Sequence, residues 1–161
     1  MLLLVLILAS LFLVFGFVIL FGAPYLPTRR AQAEAALDLL ALKPGQTFYD
    51  LGCCDGRLLR AAAKRGLKAV GYEFNPILAG IAWLCTRRYR DLVVVHCGNF
   101  WHADLSKADG VFIFLLDRYM LRLDQKLTRL GKPVKLASYA FRIPGKKPVH
   151  QREAVFLYEY K

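Results

Sequence analysis

The sequence predicts an α/β fold: a doubly wound, mostly parallel sheet preceded by one membrane-spanning helix. Three observations predict it. Residues 1–28 carry no charged side chain, whereas all 23 Lys and Arg and all 12 Asp and Glu fall from Arg29 onward. After Arg29, short β-type runs alternate with stretches of helical periodicity, the pattern of right-handed βαβ crossovers. One of the runs, Gly110 to Leu116 (GVFIFLL), is almost wholly apolar, as expected of a strand covered on both faces.

The first element is the apolar run Leu2 to Phe21, 20 residues in which only Ser10 and Gly16 are not apolar. As a helix it would be roughly 30 Å long, the thickness of a bilayer hydrocarbon core. A cleaved signal peptide would need a basic start and a shorter apolar stretch. Nothing basic precedes Leu2, so a retained anchor is expected over residues 1–22. Arg29 and Arg30 are the first charges after it. The positive-inside rule then puts the C-terminal part in the cytoplasm and a short N-terminus outside. Pro24 and Pro27 stiffen a connector over residues 23–30, and residues 31–161 remain for one compact domain.

Thr28 is placed to N-cap a helix from Arg29 to Leu42, whose Ala33, Ala36, Leu37, Leu40 and Ala41 follow helical spacing. Lys43-Pro44-Gly45 stops it. Thr47 to Leu51 reads as a buried strand, Arg57 to Arg65 as a helix ended by Gly66, and Lys68 to Tyr72 as a second strand. Pro76 opens a helix to Arg90. Leu92 to Val95, Gly110 to Leu116, Val134 to Tyr139 and Ala154 to Tyr160 complete six strands, with a helix at Arg118 to Arg129. Little chain is left for a helix between the last two strands, so the C-terminal end is expected to be trimmed of a strand or a helix.

The net charge of +11 belongs wholly to the domain. It suits an anionic membrane surface. Nucleic acid is the sharper alternative, but the basic residues are scattered, apart from Arg87, Arg88, Arg90 and Lys146, Lys147, and no nucleic-acid motif accompanies them. The four cysteines, Cys53, Cys54, Cys85 and Cys97, contain no CxxC, and the three histidines are not spaced to bind zinc with them. No metal site is expected, and free, mostly buried thiols are expected in a reducing compartment.

Ligands of such sheets bind at the carboxyl ends of the strands. After the first strand stands Asp50-Leu51-Gly52-Cys53-Cys54-Asp55-Gly56-Arg57, a glycine-bearing turn into a helix N-terminus whose amides can receive an anionic group. After the second stands Glu73, 23 residues past Asp50, where an acid can accept both ribose hydroxyls of an adenosine ligand. Asn99, after the third strand, can pair with an adenine edge, and Phe100 or Trp101 can pack on its face. Asp117, after the fourth, lies where a substrate would approach or can N-cap the next helix.

YDLGCCDGR, AVGYEFNP, CGNF and VFIFLLD resemble motifs I, post-I, the acidic-loop motif and motif IV of class I, seven-β-strand S-adenosylmethionine-dependent methyltransferases. The connector PYLPT and the segment SYAFRIPGKKP narrow the likeness. They resemble the small membrane-anchored lysine methyltransferases that modify the adenine nucleotide translocase and the ATP synthase c-subunit, and their bacterial relatives. The resemblance covers nearly the whole chain from Pro24. It implies a Rossmann-like methyltransferase domain and S-adenosyl-L-methionine as cofactor. Asp50, Gly52 and Gly56 would form the loop under the methionine part, with Asp55 helping to position it. Glu73 would hold the ribose, Asn99 and Phe100 would flank the adenine, and Tyr25 and Thr28 would close over the methionine end.

This sequence departs from the family pattern at Cys54, where glycine is usual, and at Asn99, where aspartate is common. A Cβ at position 54 is expected to narrow the backbone's approach to the ligand and to bar positive φ. For a lysine substrate, Asp117 would orient the amine, with Tyr119, Tyr139 and Phe141 as candidate rim aromatics. A membrane-protein substrate and a monomer on one anchor are expected, in the cytoplasmic membrane or, alternatively, the mitochondrial inner membrane. Two rival readings stand beside this one. The first is methylation of RNA or a small molecule, for which no Asn-Pro-Pro-Tyr motif is present. The second is a catalytically degenerate, membrane-tethered binding module disabled at Cys54.

Overall fold

The computed structural model describes residues 3–6 and 28–161. The expected anchor (residues 1–22), apart from residues 3–6, and the connector as far as residue 27, Tyr25 included, lie outside the described residues. Among the described residues, no helix is long and apolar enough to cross a membrane.

Among the described residues, seven strands form one sheet, and four α-helices flank it. In chain order they are α1 (Arg30–Leu40), β1 (Thr47–Leu51), α2 (Arg57–Lys64), β2 (Lys68–Glu73), α3 (Pro76–Thr86), β3 (Val93–Cys97) and β4 (Gly110–Ile113). Then come α4 (Met120–Thr128), β5 (Val134–Tyr139), β6 (His150–Arg152) and β7 (Val155–Tyr160). The strand order is β3-β2-β1-β4-β5-β7-β6. β1 to β5 are parallel; β7 runs antiparallel to both β5 and β6. The chain reverses between β1 and β4, so the carboxyl ends of β1, β2 and β4 converge at the switch in strand order.

Alternation along the strands builds two cores. Phe48, Ala69, Phe112, Ala137 and Leu157 face α1, α2 and α3. Tyr49, Leu51, Val111, Ile113, Leu136 and Tyr158 face the other way, onto Met120, Leu123 and Leu127 of α4. At Gly71 a Cβ would stand 2.5 Å from Leu59 Cδ1 and 2.7 Å from Cys53 Sγ, so glycine in β2 is what lets α2 and the loop after β1 settle on the sheet.

Several expected boundaries move. Arg29, not Thr28, is the N-cap of α1, and it caps without a side-chain bond. The helix stops at Leu40 because Ala41 turns into the left-handed region (φ 46°) ahead of the Lys-Pro-Gly signal. The Pro76 helix yields to a 3-10 turn at Arg87–Tyr89, and the Arg118 helix begins with one at Asp117–Tyr119. β4 ends at Ile113, short of Leu116. Among the described residues the sheet has its full seven strands: the sixth, His150–Arg152, is an exposed three-residue edge paired to β7. No helix occurs between β5 and β6, where the sequence leaves little chain for one. The four thiols are free, but Cys85 and Cys97 are exposed rather than buried.

Candidate functional site

The loop after β1 is built by β2. The N–H groups of Gly52 and Cys53 both donate to the Tyr72 carbonyl (2.8 and 2.9 Å), which bends the chain out of the sheet. Gly52 takes φ 99°, open only to glycine, and a Cβ there would meet nothing within 4 Å. Its missing side chain therefore faces vacant space. Gly56 (φ 72°) instead faces protein: a Cβ would lie 3.0 Å from Thr86 Cγ2 and 3.3 Å from Ala82 Cα. It is the packing glycine that seats the start of α2 against α3. The two motif glycines thus do different work.

Cys54 corrects the expectation made for it. It does adopt the left-handed region, at φ 49°. Its N–H donates to Glu73 Oε2 (3.0 Å), and Asn75 N–H donates to Glu73 Oε1 (2.9 Å). The carboxylate that ends β2 is buried and pins the loop of β1 in place. Burial, then the negative charges of Glu73 and Asp50, push the Cys54 thiol up to about 12. Burial likewise raises Cys53. Both stay thiols at neutral pH. Left-handed backbone costs a non-glycine residue about 1 kcal/mol. Cys54→Gly should therefore raise stability, but by no more than about 0.5 kcal/mol, because glycine's larger unfolded-state entropy takes back much of the relieved strain. It should also tighten cofactor binding severalfold. Thermal melts and calorimetry check both; a lower Tm would mean that the Cys54 side chain itself holds the loop.

Asp50 is 3% exposed, and among the described residues no hydrogen bond reaches its carboxylate. Burial first, then repulsion from Glu73 and Asp55, push it up to about 8. Asp55 shows the opposite outcome. Burial would raise it, but hydrogen bonds from the Arg57 side chain and backbone, with the charges of Arg57 and Arg60, hold it below its ordinary value. Arg57 Nη2 lies 2.8 Å from Asp55 Oδ2, and Arg57 Nη1 donates to the Thr28 carbonyl (3.3 Å). Arg57 thus ties the end of the connector to the loop. Sequence reasoning misses it, although its position directly after Asp55-Gly56 is the available signal.

A small concavity gathers Thr28, Asp50, Gly52, Cys54, Asp55 and Arg57. Of the residues singled out from sequence, Thr28, Asp50, Gly52 and Asp55 therefore meet there. Glu73 stands beside them through its bond to Cys54. Gly56 lies behind the loop, and Tyr25 falls outside the described residues. Asn99 is exposed after β3; its Oδ1 accepts from Trp101 N–H (3.0 Å) and caps a short 3-10 turn, Phe100–His102. One lone pair of that oxygen remains for a ligand. Phe100 is half-buried and packs tilted on Trp101, ring centroids 4.9 Å apart.

Asp117 is exposed after β4. It opens the 3-10 turn rather than capping it, and makes no side-chain cap bond. Of the candidate rim aromatics, Tyr139 and Phe141 converge on Phe114, at centroid distances of 4.8 and 6.3 Å. Tyr119 belongs to a separate group with Trp101, 6.3 Å away.

Comparison with known proteins agrees with this architecture. Residues 50–150 match the family model described as "ANTKMT methyltransferase domain". The chain is 35% identical over 130 residues to the adenine nucleotide translocase lysine N-methyltransferase of Mus musculus, covering 78% of this chain. It spans little more than half of that relative's own length, 56%. It is 34% identical over 130 residues to a protein-lysine N-methyltransferase of Saccharolobus islandicus, covering 78% of this chain and 81% of the relative. Among solved structures it resembles an RNA methyltransferase from Salinibacter ruber in complex with S-adenosyl-L-homocysteine. That match has a TM-score of 0.76 and 28% identity, and covers 84% of this chain and 92% of that one. With the motif loop, the strand order and these matches together, the chain belongs to the ANTKMT methyltransferase domain family.

Proposed function

We propose that this chain is an S-adenosylmethionine-dependent protein-lysine methyltransferase, held at a membrane by residues 1–22 through a connector over 23–30. Residues 31–161 form its catalytic domain, a monomer facing the cytoplasm, or the equivalent side of a mitochondrial inner membrane. The observation that carries the cofactor reading is Asp50: a nearly buried carboxylate without a hydrogen bond among the described residues, beside the vacant face of Gly52. A ligand with an ammonium group fits this arrangement, since it would neutralise the charge that burial disfavours. Glu73 fits the ribose by count. An ionised carboxylate has about four acceptor sites; two are taken by Cys54 and Asn75, and two remain for two hydroxyls.

When bound, the cofactor supplies a methyl group on a sulfonium, an already activated leaving group. The protein's part is then binding and orientation. Asp50 and the Gly52–Asp55 loop would hold the methionine end, with Thr28 and Tyr25 closing over it. Glu73 would hold the ribose, and Asn99 and Phe100 would flank the adenine. A lysine amine has to be neutral to react, against a reference pKa of about 10.4. Half-buried Phe114, Tyr139 and Phe141 offer a surface that disfavours the ammonium, and Asp117, three residues past Phe114, would orient the amine or accept its proton.

The lysine-modifying relatives support a protein substrate, and a tether at the bilayer makes a membrane protein the accessible one. The test is incubation of the full chain, reconstituted in lipid, with deuterated methyl donor and solubilised membrane proteins, followed by mass spectrometry of lysine peptides. Asp117→Asn should lower turnover roughly 10- to 100-fold with cofactor affinity unchanged; wild-type turnover would remove Asp117 from the mechanism. The likeness to an RNA methyltransferase and the net charge of +11 favour one other reading, methylation of RNA. Label transfer to RNA, with binding that falls steeply with salt, would select it.

A further inference from the structure

Helix α3 is packed inside out. Its 11 residues, PILAGIAWLCT, carry no charge. It buries its small side chains, Ala79, Ala82 and Thr86, against the rest of the domain. Its large apolar side chains point away: Ile77 is 67% exposed, Ile81 41%, Leu84 52% and, on the flank, Trp83 64%. Phe74, just before the helix, is 51% exposed. Residues 77, 81 and 84 lie on one helical face. An ordinary surface helix does the reverse, and a contiguous apolar face of this kind marks a surface that something covers.

We propose that α3 lies in the surface of an anionic phospholipid bilayer. Phe74, Ile77, Ile81 and Leu84 enter the acyl boundary, and exposed Arg87, Arg88 and Arg90 meet the headgroup phosphates. Three observations select lipid over a protein partner. The charges at the end of α3 are a dense basic group, Arg-Arg-Tyr-Arg at 87–90, complementary to an anionic leaflet. Trp83, exposed on the flank of the helix, is of the residue type that suits the interfacial zone. The third is reach, which rests on the tether reading above: only eight residues, 22–29, separate the apolar run from α1, a span of at most about 28 Å.

The place where the connector meets the domain is also the neighbourhood of α3. The Thr28 carbonyl is bound by Arg57 at the start of α2, and Gly56 rests directly on Ala82 and Thr86 of α3. With α3 in the interface, the Gly52–Asp55 loop would be fixed at a set height over the bilayer. The enzyme would then read lysines close to the membrane surface rather than anywhere within tether length.

The experiment uses the full chain in vesicles of phosphatidylglycerol and phosphatidylcholine with brominated acyl chains, which quench tryptophan on contact. The chain has two tryptophans, Trp83 and Trp101, so wild type is compared with Trp83→Phe. The expected result is an at least twofold quenching of the Trp83 emission, with Trp101 unaffected. Arg87→Glu/Arg88→Glu/Arg90→Glu should abolish that quenching while the chain still floats with the vesicles. Flotation reads the tether, and quenching reads α3. A chain that floats with Trp83 unquenched overturns the proposal, whether the helix faces water or is covered by protein. A chain that does not float overturns both it and the tether.

Discussion

Glu73→Ala should weaken S-adenosylmethionine binding on the order of 100-fold while the domain stays folded. Two hydroxyl bonds to one carboxylate are at stake, each worth about 1.5 kcal/mol or more because the acceptor is charged, and each 1.4 kcal/mol is a factor of ten. The folding cost is smaller. Cys54 and Asn75 lose their acceptor, but both are half-exposed, so water replaces it. Asp50 is meanwhile relieved of a neighbouring negative charge. The two effects oppose each other, and Tm should move by only a few degrees. Glu73→Gln separates the roles further. It keeps one acceptor oxygen and should lose only about tenfold in affinity. Calorimetric titration of both variants checks the pair. Wild-type affinity in a folded Glu73→Ala protein would place the ribose elsewhere and take the proposed cofactor site with it.

What is legible in the sequence is what local pattern controls. Phe48, Ala69 and Phe112 sit in strands because apolar runs separated by helical periodicity have few other arrangements, and the turn at Gly52 follows from its place between a strand and a helix. β6 escapes such reading because His150-Gln151-Arg152 is exposed and has no apolar alternation; only its pairing with β7 makes it a strand. Cys54 misleads for a related reason. Local sterics argue against φ 49°, and the bond that repays the strain comes from Glu73, 19 residues away. The inverted packing of α3 is invisible too. PILAGIAWLCT reads as a helix on any face, and only the fold decides that its alanines go in and its isoleucines out.

Asp50 gives the prediction with the most unusual sign. Its carboxyl is pushed from an ordinary 3.8 up to about 8, so between those values the folded protein holds a proton that the unfolded chain releases. The stability this confers is full below about pH 4 and is lost as pH rises through about 8. Ligand-free protein should therefore weaken from about pH 6 to pH 8.5, by roughly 2.5 kcal/mol, where most proteins change little. Asp50→Asn removes the titration and should flatten the profile. It should also raise Tm at neutral pH and at the same time impair cofactor binding, a gain of stability at the expense of function that marks a group kept for its ligand rather than for the fold. The linkage works in the other direction as well. A cationic ligand end beside Asp50 favours the carboxylate, so binding at pH 7 should expel close to one proton from the wild type and none from Asp50→Asn. Titrations in two buffers of different ionisation enthalpy measure that proton directly. A heat of binding independent of buffer would mean that Asp50 is already ionised before the ligand arrives, and would remove it as the source of the pH dependence.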